Sequence, residues 1–190
     1  MDFLTTLSSS LIPQARAILP TTPWTPQACV LLGAIGLQES GGRDIAQEAG
    51  GPGQGYWQEE AGIAAVLRNP TSAELARQCV AASGILRGAS QIPEVFQVET
   101  AASVVGHGGY PSTSLPPIIV VMRQKFLNFQ TLQLCLARLM LWDNPNPLPD
   151  LGDCNGAWNY YDATWRPGSP RPESWASNYG AALQHFTGGS

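Results

Sequence analysis

The sequence predicts a mainly helical single domain with at most a small β-hairpin. Three observations carry that expectation. Thr25-Pro26 precedes an apolar run and Gly41-Gly42 follows it. Thr caps free N–H groups, Pro suits the first helical position, and Gly accepts a left-handed exit. Thr71-Ser72-Ala73-Glu74 has the form of a capping box. Leu127, Leu134, Ala137, Arg138 and Leu141 recur in the register of helical turns.

Taken in order, the first twenty residues carry an apolar patch of Leu4, Leu7, Leu11 and Ile12, which predicts a short lead helix. Residues 1–23 are set apart as a lead segment ahead of a domain over 24–190. The capped helix then spans 26–40, through Cys29, Leu32, Ile35, Gly36 and Glu39. Gly33 and Gly36 share one face of it, a bare face suited to close packing. Residues 43–58 are Gly-rich without apolar periodicity and predict loops, with a small hairpin around Gly50-Gly51-Pro52-Gly53. Helices are expected over 59–67, 72–83, 127–142, 152–161 and 174–186. Between them lie a weaker stretch at Pro93–Val105, a Gly-His-Gly-Gly loop at 106–109, a Pro/Asn turn at 143–149 and a Pro- and Arg-bearing loop at 165–172.

Composition narrows the function classes. A chain of 190 residues with 44% hydrophobic content can fill a core. Charged residues are 13%, about half the usual share. Nine of the ten basic residues are Arg, the tenth is Lys125, and the net charge of −4 comes without a basic cluster. Nucleic-acid binding through a charged patch is therefore not expected. Cys29, Cys79, Cys135 and Cys154 form no Cys-x-x-Cys pair, and only His107 and His185 could assist them, so neither a metal site nor a cofactor is expected. Three of the four cysteines lie in apolar helical patterns and read as buried free thiols. Asp2 and Pro13 break the pattern of a secretion signal, and the best apolar stretch, Leu115 to Met122, holds two prolines and is too short for a membrane span.

The candidate for chemistry is Glu39, in the last turn of its helix. Backbone carbonyls there carry partial negative charge, so ionising a carboxyl costs more than in water. Lys or Arg is the usual choice at that position, and a residue that opposes a local rule points to function. A glutamic acid held protonated can protonate a departing glycosidic oxygen.

Glu39-Ser40, Gly55-Tyr56-Trp57-Gln58 and Trp158-Asn159-Tyr160-Tyr161 occur in that order. Together they resemble the goose-type lysozyme and soluble lytic transglycosylase family, in particular its phage virion members. The resemblance runs over roughly residues 24–186 and rests on about a dozen positions. Trp158-Asn159 stands where Tyr-Asn is usual, and Tyr160-Tyr161 replaces the small residue and Gly that normally follow. The resemblance implies a lysozyme-like fold and cleavage of peptidoglycan between muramic acid and glucosamine, with Glu39 as general acid and base. Ser40 would then support Glu39 by hydrogen bonding, while Gln58, Tyr56 and Asn159 would contact the sugar. Tyr179 would supply the C-terminal tyrosine that approaches the acid, with Tyr161 its rival. Trp57 alternates with Tyr56 in an expected strand and reads as core.

A single Glu suits a transglycosylase, because the muramic hydroxyl attacks from within the same sugar and needs no second carboxylate. Asp44, Glu48, Glu59 and Glu60 are the acids near enough in sequence to serve as one. His107 as a catalytic base lacks a nucleophile motif and reads as a plain loop residue. An acidic chain gains no encounter rate at an anionic wall. Delivery by assembly into a larger particle is therefore inferred, and the resemblance implies a phage virion, among other virion proteins, where the chain opens the wall locally for genome ejection. Its rivals are a virion structural or adaptor protein that keeps the scaffold without turnover, and a carbohydrate-binding module.

Overall fold

The computed structural model describes residues 2–43, 55–58, 70–83 and 130–188. All regular elements among them are helices, and no strand occurs among them, so the mainly helical expectation holds. The hairpin expected at 50–53, the helix at 59–67, the 93–105 stretch and the His107 loop lie outside the described residues.

The lead segment is one nearly continuous rod: α1 (Phe3–Thr6), a π-helical stretch (Leu7–Leu11) and α2 (Ile12–Ile18). Asp2 caps it, accepting from the Thr5 N–H at 3.0 Å. Phe3, Leu7, Leu11, Ile12, Ala15 and Leu19 are all buried in the same core as the rest of the chain. The lead segment thus packs into the same core as the helices that follow it.

Helix α3 (Pro26–Ser40) forms as its ends dictate. Thr25 accepts from the Ala28 N–H at 3.3 Å, and Gly41 takes a φ of 65° beyond the last turn. The N–H groups of Gly41 and Gly42 close the end on the carbonyls of Leu37 and Gly36, at 3.0 and 3.2 Å. From Ala28 to Gly36 every residue is buried. A helix apolar on all sides must be surrounded, and α3 is. Helix α7 (Pro172–Thr187) runs along it, with α5 (Gln130–Asp143) and α6 (Cys154–Trp165) also against it. Helix α4 (Pro70–Ser83) packs mainly on α5.

Two expected starts shift. Helix α4 spans Pro70–Ser83, so Thr71 lies within its first turn, and the Ser72 hydroxyl donates to Asp143 at 3.0 Å. Proline suits the opening position of a helix. Helix α6 begins after Asp153, whose carboxylate accepts from the Gly156 N–H at 2.8 Å, and it runs one turn beyond the expected end. Cys29, Cys79 and Cys135 are buried free thiols, and Cys154 is half-buried. No helix among the described residues is long and apolar enough to cross a membrane.

The bare face of α3 is filled by packing. A Cβ at Gly33 would press on Leu4, Phe186 and Ala182, and one at Gly36 would enter the ring of Phe3. Gly36→Ala is therefore expected to lower stability by about 1–3 kcal/mol through overpacking. Ala otherwise gains about 1 kcal/mol over Gly in a helix interior, so the sign is diagnostic. Urea denaturation measures it, and a stabilised variant would show that Phe3 can move aside at no cost.

Candidate active site

Glu39 projects from the last turn of α3, half-buried, into a cavity of about 430 Å³. Leu37, Gln38, Ser40, Gly41 and Arg43 line it from the end of α3 and the residues after it. Gln58 lines it from a turn, and Arg171, Ser174 and Asn178 from the start of α7. Glu39 and Gln58, which the sequence motifs paired, thus line the same cavity.

Three helices pin the segment that carries Gln58. The Tyr56 N–H donates to the Gln133 side chain on α5 at 3.1 Å. The Trp57 indole donates to the Leu32 carbonyl of α3 at 2.8 Å, and the Trp57 carbonyl accepts from the Trp165 indole of α6 at 3.0 Å. A side chain at Gly55 would collide with Gln133, and its φ is 76°. Gln58 itself sits at φ 45°, a left-handed conformation that costs a non-glycine residue roughly 1–2 kcal/mol. Its side-chain amide folds back onto the Gly55 carbonyl at 2.7 Å. Strain of this kind persists where the surroundings over-determine it.

That geometry corrects the expected strand. Residues 55–58 form a turn, so Tyr56 and Trp57 do not alternate between faces. Both are buried, Trp57 completely, and both rings pack against Phe3 with centroids at 4.8 and 5.9 Å. Trp57 is core as expected. Tyr56, expected at the sugar, is core as well and is absent from the cavity wall.

The tyrosine at Glu39 is Tyr161. Its hydroxyl donates to Glu39 Oε1 at 2.6 Å across 122 residues of sequence. Burial, followed by the neighbouring Glu39 carboxyl and this hydrogen bond, pushes the Tyr161 hydroxyl far above its ordinary pKa. It therefore stays protonated and acts as a donor. The ring stacks on Trp175 at 5.1 Å and 11° and also meets Trp158 and Trp165, which fixes its aim. Tyr179 is buried elsewhere, its hydroxyl accepting from the Gly152 N–H at 3.1 Å. Asn159, expected at the sugar, is exposed on the outer face of α6 and does not line the cavity. The cause is helical phase: Ala157, Tyr160 and Tyr161 take the inner face.

Ser40 lines the cavity, but its hydroxyl serves the backbone. It donates to the Gly36 carbonyl at 2.9 Å and accepts from the Arg43 N–H at 3.1 Å, fixing the path of the chain just past Glu39. Gln38 ties the end of α3 to the start of α7. Its amide donates to the Arg171 carbonyl at 2.9 Å and accepts from Ser174 and Asn178 at 3.1 and 2.8 Å. Neither Gln38 nor the α7 side chains carried a sequence signal, since their pairing joins residues more than 130 apart.

Among the described residues that line this cavity, Glu39 is the only carboxylate. Asp44, Glu48, Glu59 and Glu60 lie outside the described residues. No group of three or more His, Cys, Asp or Glu among the described residues is arranged to hold a metal ion. The described lining thus offers one carboxyl group with a tyrosine donor, the Gln58 amide and two guanidinium groups. Such a set can hold and move one proton in a polar groove. No protein-family model, curated protein or solved structure matches this chain.

Proposed function

We propose that the chain is a lysozyme-like enzyme that cleaves the glycan strand of peptidoglycan between muramic acid and glucosamine. Glu39 acts as the single general acid and base. The observation that carries this reading is the convergence of Glu39 and Gln58 on one cavity, with the Tyr161 hydroxyl 2.6 Å from the carboxyl group. The sequence resemblance suggests the substrate class, and the Tyr161 hydrogen bond that orients the Glu39 carboxyl group supports the role assigned to it.

In this mechanism Glu39 first gives its proton to the glycosidic oxygen as the bond to the muramic C1 breaks. The same carboxylate then takes the proton of the muramic C6 hydroxyl, whose oxygen closes onto C1. That internal nucleophile is held at high effective concentration, so no second carboxylate is required. Tyr161 holds the rotamer of Glu39 through both steps and keeps its own proton. The setting we favour is a phage virion, where assembly delivers the acidic chain to the wall that its net charge of −4 does not help it reach.

The products test this reading. Muropeptides released from purified peptidoglycan are expected to end in 1,6-anhydromuramic acid, one water lighter than a hydrolysed end by mass spectrometry. Reducing ends would instead assign a lysozyme with a second acid. No soluble fragments from folded protein would favour a virion structural or adaptor protein without turnover.

A further inference from the structure

Nine arginines are spread over this acidic chain, and two of them, Arg43 and Arg171, line the Glu39 cavity. Their placement around Glu39 is symmetrical in the chain. Arg171 Nη2 donates to the carbonyl of Gln38, the residue before Glu39. Arg43 Nε donates to the carbonyl of Ser40, the residue after it, at 3.2 Å. Each guanidinium has five N–H donors in a planar fork, so one backbone bond fixes its position and leaves most donors uncommitted. Among the described residues neither arginine is paired with a carboxylate. The described wall of the cavity thus carries two formal positive charges against the one carboxyl group of Glu39.

Resting on the reading above, we propose that Arg43 and Arg171 form a carboxylate-binding pair that makes the site select sugars bearing a free acid. On a peptidoglycan strand that chemistry has two sources. One is the lactyl carboxylate of muramic acid, free only where the stem peptide has been removed. The other is a carboxylate of the stem peptide itself. Both lie close to the scissile bond, as do the two guanidinium groups anchored on either side of Glu39. A planar fork matches a carboxylate in a way that a neutral sugar hydroxyl cannot use fully. If the lactyl acid is the ligand, the reaction that supplies the substrate is an amide hydrolysis that strips the peptide from the strand.

The plainer role for both arginines is to cap the last carbonyls of α3 and complement the helix dipole. That role affects stability and not ligand choice, so the experiment reads both. Glu39→Gln protein, which does not turn over, is titrated by NMR with the glucosamine–muramic acid disaccharide, with its lactyl methyl ester, and with the same disaccharide carrying a dipeptide. The free acid is expected to bind about fivefold or more tightly than the ester, as befits a partly exposed ion pair. Added salt should narrow the gap, and Arg43→Gln with Arg171→Gln should close it while the chain remains folded by circular dichroism. Tighter binding of the dipeptide form, lost in the same double variant, would support the pair and assign the acid to the stem peptide. Equal affinity for acid and ester would overturn the arginine pair while leaving muramic-sugar recognition in place. An acid preference that survives the double variant would overturn it too. Failure of every sugar to bind would overturn both this proposal and the function on which it rests.

Discussion

Glu39→Gln is expected to lose at least about 10²-fold in activity on purified peptidoglycan, the usual worth of a positioned acid or base. The substitution keeps the shape of the side chain and an oxygen that can accept from Tyr161, whose bond to Glu39 is 2.6 Å. It removes only the group that gives and retakes a proton. The melting temperature is therefore expected to stay close to that of the parent chain, and the loss should fall on kcat with little change in KM. Dye-release or turbidity assays on the purified wall measure the first, and a thermal melt the second. Full activity would move the acid elsewhere, with Glu59 and Glu60 the next residues to replace.

The largest expected effect on stability comes from removing residues 2–23. Phe3, Leu7, Leu11, Ile12 and Leu19 each bury nearly the whole side chain in the common core. At about 2 kcal/mol per buried side chain the loss is about 10 kcal/mol, comparable with the entire stability of a typical domain, about 5–15 kcal/mol. The shortened chain is expected to lack a cooperative thermal transition and to expose apolar surface that binds a hydrophobic dye. A sharp melt at the parent temperature would show that the lead segment is dispensable after all.

The contrast between those two regions shows what local sequence can convey. The limits of α3 were legible because both of its ends are local chemistry, a Thr-Pro start and a Gly-Gly stop within a few residues of the helix they bound. Glu39 was legible for the same reason: an acid at the end of a helix stands out against its immediate neighbours. Gln58 came from a motif, and the cavity brings it to Glu39. Tyr56 was misplaced because its environment is set by Phe3, which arrives from the other end of the chain, and by the turn at Gly55. The choice between Tyr161 and Tyr179 depended on the rotation of α6 and α7 about their axes. Packing of Trp158 on Trp175, and of Trp158 and Trp165 on Tyr161, accompanies that rotation, and no spacing expresses it. Arg43 and Arg171 were invisible for a simpler cause. Each is an ordinary loop arginine until the backbone carbonyls on either side of Glu39 come into reach.

The stack of Tyr161 on Trp175 has a use apart from holding a rotamer. The Tyr161 hydroxyl touches Glu39, and its ring lies 5.1 Å from Trp175 at an angle of 11°. A change at the carboxyl group, whether loss of a proton or contact with a sugar, alters the hydrogen bond to a chromophore coupled to an indole. Near-ultraviolet dichroism is therefore expected to shift when the Glu39 carboxyl group changes its partner, a signal that Trp175→Phe should reduce.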